Sequence, residues 1–134
     1  MGKRRRVVRI EFSKDPDGNL AGPSVMAIVK SGNIMSDFIM FRIDTGADKT
    51  LMPISALGDI EVSKVERMHT MLANGDPIDL PSIDCSILIK GLDQEIEIPG
   101  GALVADKRSV GLLGMDVLSM STMILCDGQG FLIF

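Results

Sequence analysis

Apolar side chains recur along this chain mostly at every second position, in short runs separated by glycine, proline and asparagine. Val8, Ile10 and Phe12 alternate with Arg9 and Glu11, the period of a strand buried on one face. Asp15-Pro16-Asp17-Gly18-Asn19 then predicts a turn, because Pro and Gly preset the backbone angles a turn needs. Residues 25–30 and 35–43 read as two strands around Ser31-Gly32-Asn33, and 53–57 as one helical turn ended by Gly58. Between 65 and 80, two strand-like arms flank Ala73-Asn74-Gly75-Asp76. Asn-Gly accepts positive φ at both central positions of a tight turn, so a hairpin is expected there. A second hairpin follows, with Ile83, Cys85, Ile87 and Ile89 on one face, a turn at Gly91-Leu92-Asp93, and Ile96 and Ile98 on the return. Residues 102–105 form an apolar strand ending in the loop Asp106-Lys107-Arg108-Ser109, and 115–120 make the best helix. A last hairpin joins 123–126 to 131–134 around Asp127-Gly128-Gln129-Gly130. Roughly ten short strands with hardly any helix predict an all-β barrel or sandwich. No linker or repeat divides the chain, so residues 1–134 are expected to form one domain, with 1–6 as a basic leader.

Composition narrows the partners. A chain of 134 residues can bury a real core, and 46% hydrophobic with 24% charged residues excludes a disordered or collagenous protein. There are five Phe, no Trp and no Tyr. The core is therefore expected to consist of Ile, Leu and Val with the ten Met as filler and pocket lining. An aromatic platform for single-stranded nucleic acid is lacking, and no nucleic-acid partner is expected. A net charge of −4 is too small to imply a polyionic partner. The run Lys3-Arg4-Arg5-Arg6, with Arg9 beyond it, reads as a solvated leader. No apolar run approaches the roughly twenty residues of a membrane span, and the first residues lack the apolar stretch of a signal peptide. The expectation is no membrane contact and a cytoplasmic location. Cys85 and Cys126 lie in apolar, strand-like runs without metal-ligand spacing, which predicts two buried free thiols and no metal or cofactor.

The stretch that carries chemistry is Phe41-Arg42-Ile43-Asp44-Thr45-Gly46-Ala47-Asp48. A carboxylate stands at the end of an apolar strand, where the strand holds it rigid. Gly46 lets the backbone turn back close to it, and nearby N–H groups can bond its oxygens. One carboxylate is a poor base, but two sharing a proton make a working acid/base pair. This chain supplies one Asp-Thr-Gly, so the pair would come from two chains meeting on a two-fold axis. Strand alternation puts Phe38, Met40, Arg42 and Asp44 on one side, so Arg42 is expected beside the substrate groove, the alternative being that local twist turns its side chain to solvent or into a pair with Asp48.

Some seventy residues later, Val110-Gly111-Leu112-Leu113-Gly114-Met115-Asp116-Val117-Leu118 reads as an apolar strand running into a short helix. With this second element the sequence resembles the retropepsins, the retroviral-type aspartic peptidases, and their cellular and bacterial relatives. Four features carry the resemblance in order: Asp44-Thr45-Gly46-Ala47, the Ala73-Asn74-Gly75 hairpin tip, Leu112-Leu113-Gly114, and the short helix with the strand after it. The match covers about residues 35–134. It implies a closed β-barrel with a flap hairpin and one short C-terminal helix, working as a homodimer on a peptide or protein substrate. Asp44 would be the catalytic acid/base, and Thr45 would bond across the dimer beneath the site. Gly46, Ala47 and Asp48 would meet substrate, and Ala73, Asn74 and Gly75 would form the flap. Leu112, Leu113 and Gly114 would lie under the Asp44 loop. The resemblance also implies an interchain sheet, for which 131–134 and 7–12 are the candidates. Two departures stand out. Retroviral members often carry Arg after the apolar-apolar-Gly, where Met115 stands here, and an apolar residue is usual at the position of Arg42.

Other readings are weaker. Asp48-Lys49-Thr50 is similar to the phosphorylated aspartate of ion-pumping ATPases, but no Gly-Thr-Leu-Thr follows and there are no spans. His69 is the one histidine, which disfavours metal-dependent hydrolysis and Ser-His or Cys-His catalysis. Asp116 is expected to cap the short helix, because an aspartate at that position accepts first-turn N–H groups. The serious alternative is a catalytically silent peptide-binding or assembly dimer of the same fold, although Asp44, Thr45 and Gly46 are all present.

Overall fold

The computed structural model describes residues 6–14, 16–18, 20–58, 60, 67–71, 77–105 and 110–134. The flap tip Ala73-Asn74-Gly75 lies outside them, as do residues 1–5 and 106–109. The side chain of His69 is likewise not described. The strands are β1 (Val7–Lys14), β2 (Leu20–Ser31), β3 (Ile34–Ile43), β4 (Leu51–Pro53), β5 (Arg67–Met71) and β6 (Pro77–Ile83). They continue with β7 (Ser86–Ile89), β8 (Ile96–Glu97), β9 (Ala102–Ala105), β10 (Gly111–Leu113), β11 (Thr122–Cys126) and β12 (Gln129–Ile133). The helix α1 spans Met115–Leu118, and a 3-10 turn spans Ile54–Ala56. Among the described residues no helix is long and apolar enough to cross a membrane.

The alternation read from the sequence becomes the two faces of the sheet. Val8 and Ile10 of β1 are buried, as are Ile39, Phe41 and Ile43 of β3, while Phe38, Met40 and Arg42 point outward. Val25, Ala27 and Val29, with Ile87, Ile89, Val104, Leu113 and Leu132, complete one apolar core. Methionine is mostly not core filler: Met52 is fully buried, but Met35, Met40, Met115 and Met120 are exposed. The arms of the 65–80 hairpin pair as expected, from Arg67 with Pro81 to Met71 with Pro77.

The fold is all-β with one short helix, but the expected closed barrel is corrected to an open, branched sheet. Its strands run β11-β12-β1-β2-β3-β10-β4-β9-β6-β5, and among the described residues the two end strands do not pair with each other. Two features keep it open. The twelve-residue β2 changes partner along one edge, pairing with β1 through Leu20–Ser24 and with β7 through Ala27–Lys30. In β6 only Ser82 and Ile83 pair with β9, while Pro77–Pro81 pair with β5. At the N-terminal end, Arg6 O accepts a bond from Phe134 N–H at 2.8 Å.

Candidate active site

Asp44 stands where β3 ends, and the strand next to β3 explains why it stands firmly. β10 lies parallel to β3, matching Leu112 to Arg42 and Leu113 to Ile43, and its other edge meets β4. The loop leaving β3 therefore has to pass over the end of β10 before it can return as β4. Three backbone bonds fasten it there. Asp44 N–H donates to Leu113 O at 3.1 Å, Met115 N–H to Ala47 O at 2.8 Å, and Asp116 N–H to Asp48 O at 3.1 Å.

Contact this close needs glycine at Gly114, where a Cβ would stand 2.6 Å from the Lys49 carbonyl carbon. Leu112-Leu113-Gly114 and the Asp44 loop are thus brought together. The loop's exposed side holds Thr45, Gly46 and Asp48, with Asp44 and Ala47 half-buried. The Asp44 carboxylate is oriented by its own loop, since Gly46 N–H donates to Oδ1 at 2.9 Å. A Cβ at Gly46 would lie 3.2 Å from that oxygen.

A polar pair that the sequence did not announce locks the far end of the loop. Thr50 is fully buried. Its hydroxyl donates to Asp116 Oδ1 at 2.7 Å and accepts from Gly114 N–H at 3.1 Å. Its own N–H donates to Asp116 Oδ2 at 3.0 Å. Asp116 is therefore not the helix cap. Gly114 occupies that position with no side-chain bond, and Asp116 lies in the first turn. Its carboxylate is spent on Thr50 and on the neighbouring Val117 N–H, 2.9 Å away. No local pattern marks such a pair, because its members are 66 residues apart.

Other candidates are placed less centrally. Arg42 is exposed on the outward face with Phe38 and Met40, and its guanidinium reaches across to Gly22 of β2. Lys49 donates to Pro99 O at 3.3 Å. Cys85 is half-buried, and burial pushes its thiol up to about 12. Cys126 is exposed, which corrects the expectation of two buried thiols. It sits beside a tight turn at the open edge of the sheet, where no layer covers it. Among the described residues, no group of three or more His, Cys, Asp or Glu converges as a metal site requires.

Comparison with solved structures relates this arrangement to a known architecture. The chain superposes on the crystal structure of a retropepsin-like aspartic protease from Rickettsia conorii with a TM-score of 0.63. The alignment covers 100% of this chain and 97% of that one at 21% sequence identity. The fold is retropepsin-like. No family model matches the sequence, and no curated protein matches it significantly. The likeness is thus carried by three-dimensional structure.

Proposed function

We propose that the protein is an aspartic endopeptidase whose dyad consists of Asp44 from each of two identical chains. The observation that carries this reading is the Asp44 carboxylate itself. It sits half-buried at the open end of a strand, oriented by Gly46 N–H, on a loop strapped to β10 and α1. A retropepsin-like fold around that loop supports the same reading.

Two carboxylates held within a few ångströms cannot both ionise, so they share one proton and titrate as a pair. The ionised member takes a proton from water as its oxygen attacks the peptide carbonyl carbon. The protonated member donates to the carbonyl oxygen, and the tetrahedral adduct collapses as the leaving nitrogen is protonated. In this proposal Thr45 bonds across the dimer, and Gly46, Ala47 and Asp48 meet the substrate backbone. Arg42 borders the groove, and Ala73-Asn74-Gly75 closes over the peptide as a flap. A single domain acting in the cytoplasm is part of the same reading, and two unpaired cysteines are at home in a reducing compartment.

The test is Asp44→Asn, assayed on a denatured protein by mass spectrometry of the fragments. The amide keeps the shape but cannot take or share the proton. A loss of at least about a hundredfold in rate is expected with the melting curve preserved. Near wild-type cleavage by the variant would end the aspartic mechanism. A wild-type protein that cuts nothing would favour the silent dimer.

A further inference from the structure

The outward face of β3 leads directly to the proposed dyad residue. Ile39, Phe41 and Ile43 are buried, while Phe38, Met40 and Arg42 are exposed. The alternation carries on to Asp44, whose N–H is still laddered to Leu113 O at 3.1 Å. Its side chain therefore leaves the strand on the same face as that of Arg42. Two residues of a strand span about 7 Å, in this chain as in an extended substrate.

The register with β2 shows which way the guanidinium leans. Ser24 lies opposite Arg42, and Met26 opposite Met40. Continued by two residues, that register sets Gly22 level with Asp44. The Arg42 guanidinium lies against Gly22, where a Cβ would stand 3.4 Å from Nη2 and 3.8 Å from Cζ. The side chain thus runs along the sheet toward the Asp44 end of β3, and not back toward Met40. Gly22 has a φ of 56°, which residues with a side chain rarely adopt, so the space stays open to Arg42. Among the described residues Arg42 forms no salt bridge, with Asp48 or with any other carboxylate, whereas Lys30 and Glu95 do so at 3.1 Å. Lys49, the cation on the Asp44 loop itself, is turned to Pro99 O.

A guanidinium stays charged at any working pH, and its planar fork of donors fits a carboxylate. We propose that Arg42 selects the substrate by receiving the carboxylate of a Glu or Asp side chain within about two residues of the scissile bond. The dimer of the proposed function holds two Arg42, related by its two-fold axis. The preference is then for an acidic residue on either side of the cut. The inference rests on that reading and adds the chemistry of the substrate to it.

The test is a cleavage profile with a binding arm. Wild-type digests of a denatured protein, sequenced by mass spectrometry, should show Glu and Asp enriched within two residues of the cuts. On matched peptides, kcat/KM should be roughly tenfold higher with Glu than with Gln at that position, the gain expected of a charge-assisted bond. Arg42→Leu should abolish that ratio. Arg42→Glu should reverse it in favour of Lys, which a merely structural role of Arg42 would not produce. The binding arm needs no turnover and uses a fluorescent octapeptide, apolar at its centre with Glu on each side. By anisotropy, Asp44→Asn protein should bind it roughly tenfold tighter than its Gln twin, and equally once Arg42→Leu is added. Cleavage without an acidic preference would overturn the inference and leave the peptidase reading standing. So would a preference that survives both Arg42 substitutions in folded protein. Arg42-dependent binding by a protein that cuts nothing would uphold the inference and sink the peptidase reading. Neither cleavage nor Arg42-dependent binding would overturn both.

Discussion

Cys85 and Cys126 occupy similar apolar runs in the sequence and opposite surroundings in the fold. Burial is the main cause holding the Cys85 thiol up near 12, against an ordinary 9.0. Cys126 stands exposed beside the Asp127 turn. A maleimide at neutral pH is expected to label Cys126 promptly and Cys85 only as the protein unfolds, which peptide mapping would read. The same burial gives a pH dependence. A folded-state pKa above the unfolded one contributes stability that is complete below about pH 9 and is lost as pH rises toward 12. Urea midpoints should fall across that window in wild type and less in Cys85→Ala. Equal labelling of both thiols in the folded protein would contradict the burial.

The decisive elements are the Asp44 loop and the β10–α1 corner that supports it. Thr50 and Asp116 carry the far half of this connection through a charge-assisted pair within a largely buried corner. Thr50→Val keeps the shape but deprives Gly114 N–H of its acceptor and Asp116 of one donor. Leaving a buried group unsatisfied costs about 1–3 kcal/mol, so urea unfolding should show a loss of that size. Peptidase activity should fall as well, because the loop that aims Asp44 is no longer held at both ends. A stability within about 0.5 kcal/mol of wild type would mean the hydroxyl does not hold the loop. The sequence made the loop legible through Asp-Thr-Gly and Leu-Leu-Gly, each readable within a few residues. It misassigned Asp116 as a cap, because an Asp beside a helix start satisfies that local rule whether or not a threonine elsewhere claims its carboxylate.

At the scale of the whole molecule, one chain offers one Asp44, so activity should depend on assembly. Specific activity is expected to fall on dilution through the dimer dissociation constant. Mixing wild-type with an equal amount of Asp44→Asn chains should leave roughly a quarter of the dimers with two wild-type subunits, and activity should drop accordingly. Full turnover, independent of concentration, by a species that sediments as a monomer would rule out the shared dyad.

What the sequence determined by itself was local. The two-residue period marked the faces of β1 and β3 and placed Asp44 at the end of a strand. Glycine and asparagine marked the turns, because backbone conformation depends on the residue and its immediate neighbours. Only the tertiary structure decided which strands lie side by side. The insertion of β10 between β3 and β4, the partner change along β2 that leaves the sheet open, and the cis pairing of β1 with β12 all join distant segments. Their geometry follows from how the chain closes on its core. A backbone edge is also anonymous in sequence, since every strand offers the same N–H and C=O groups. Which edge remains open is settled when the other strands have found their neighbours.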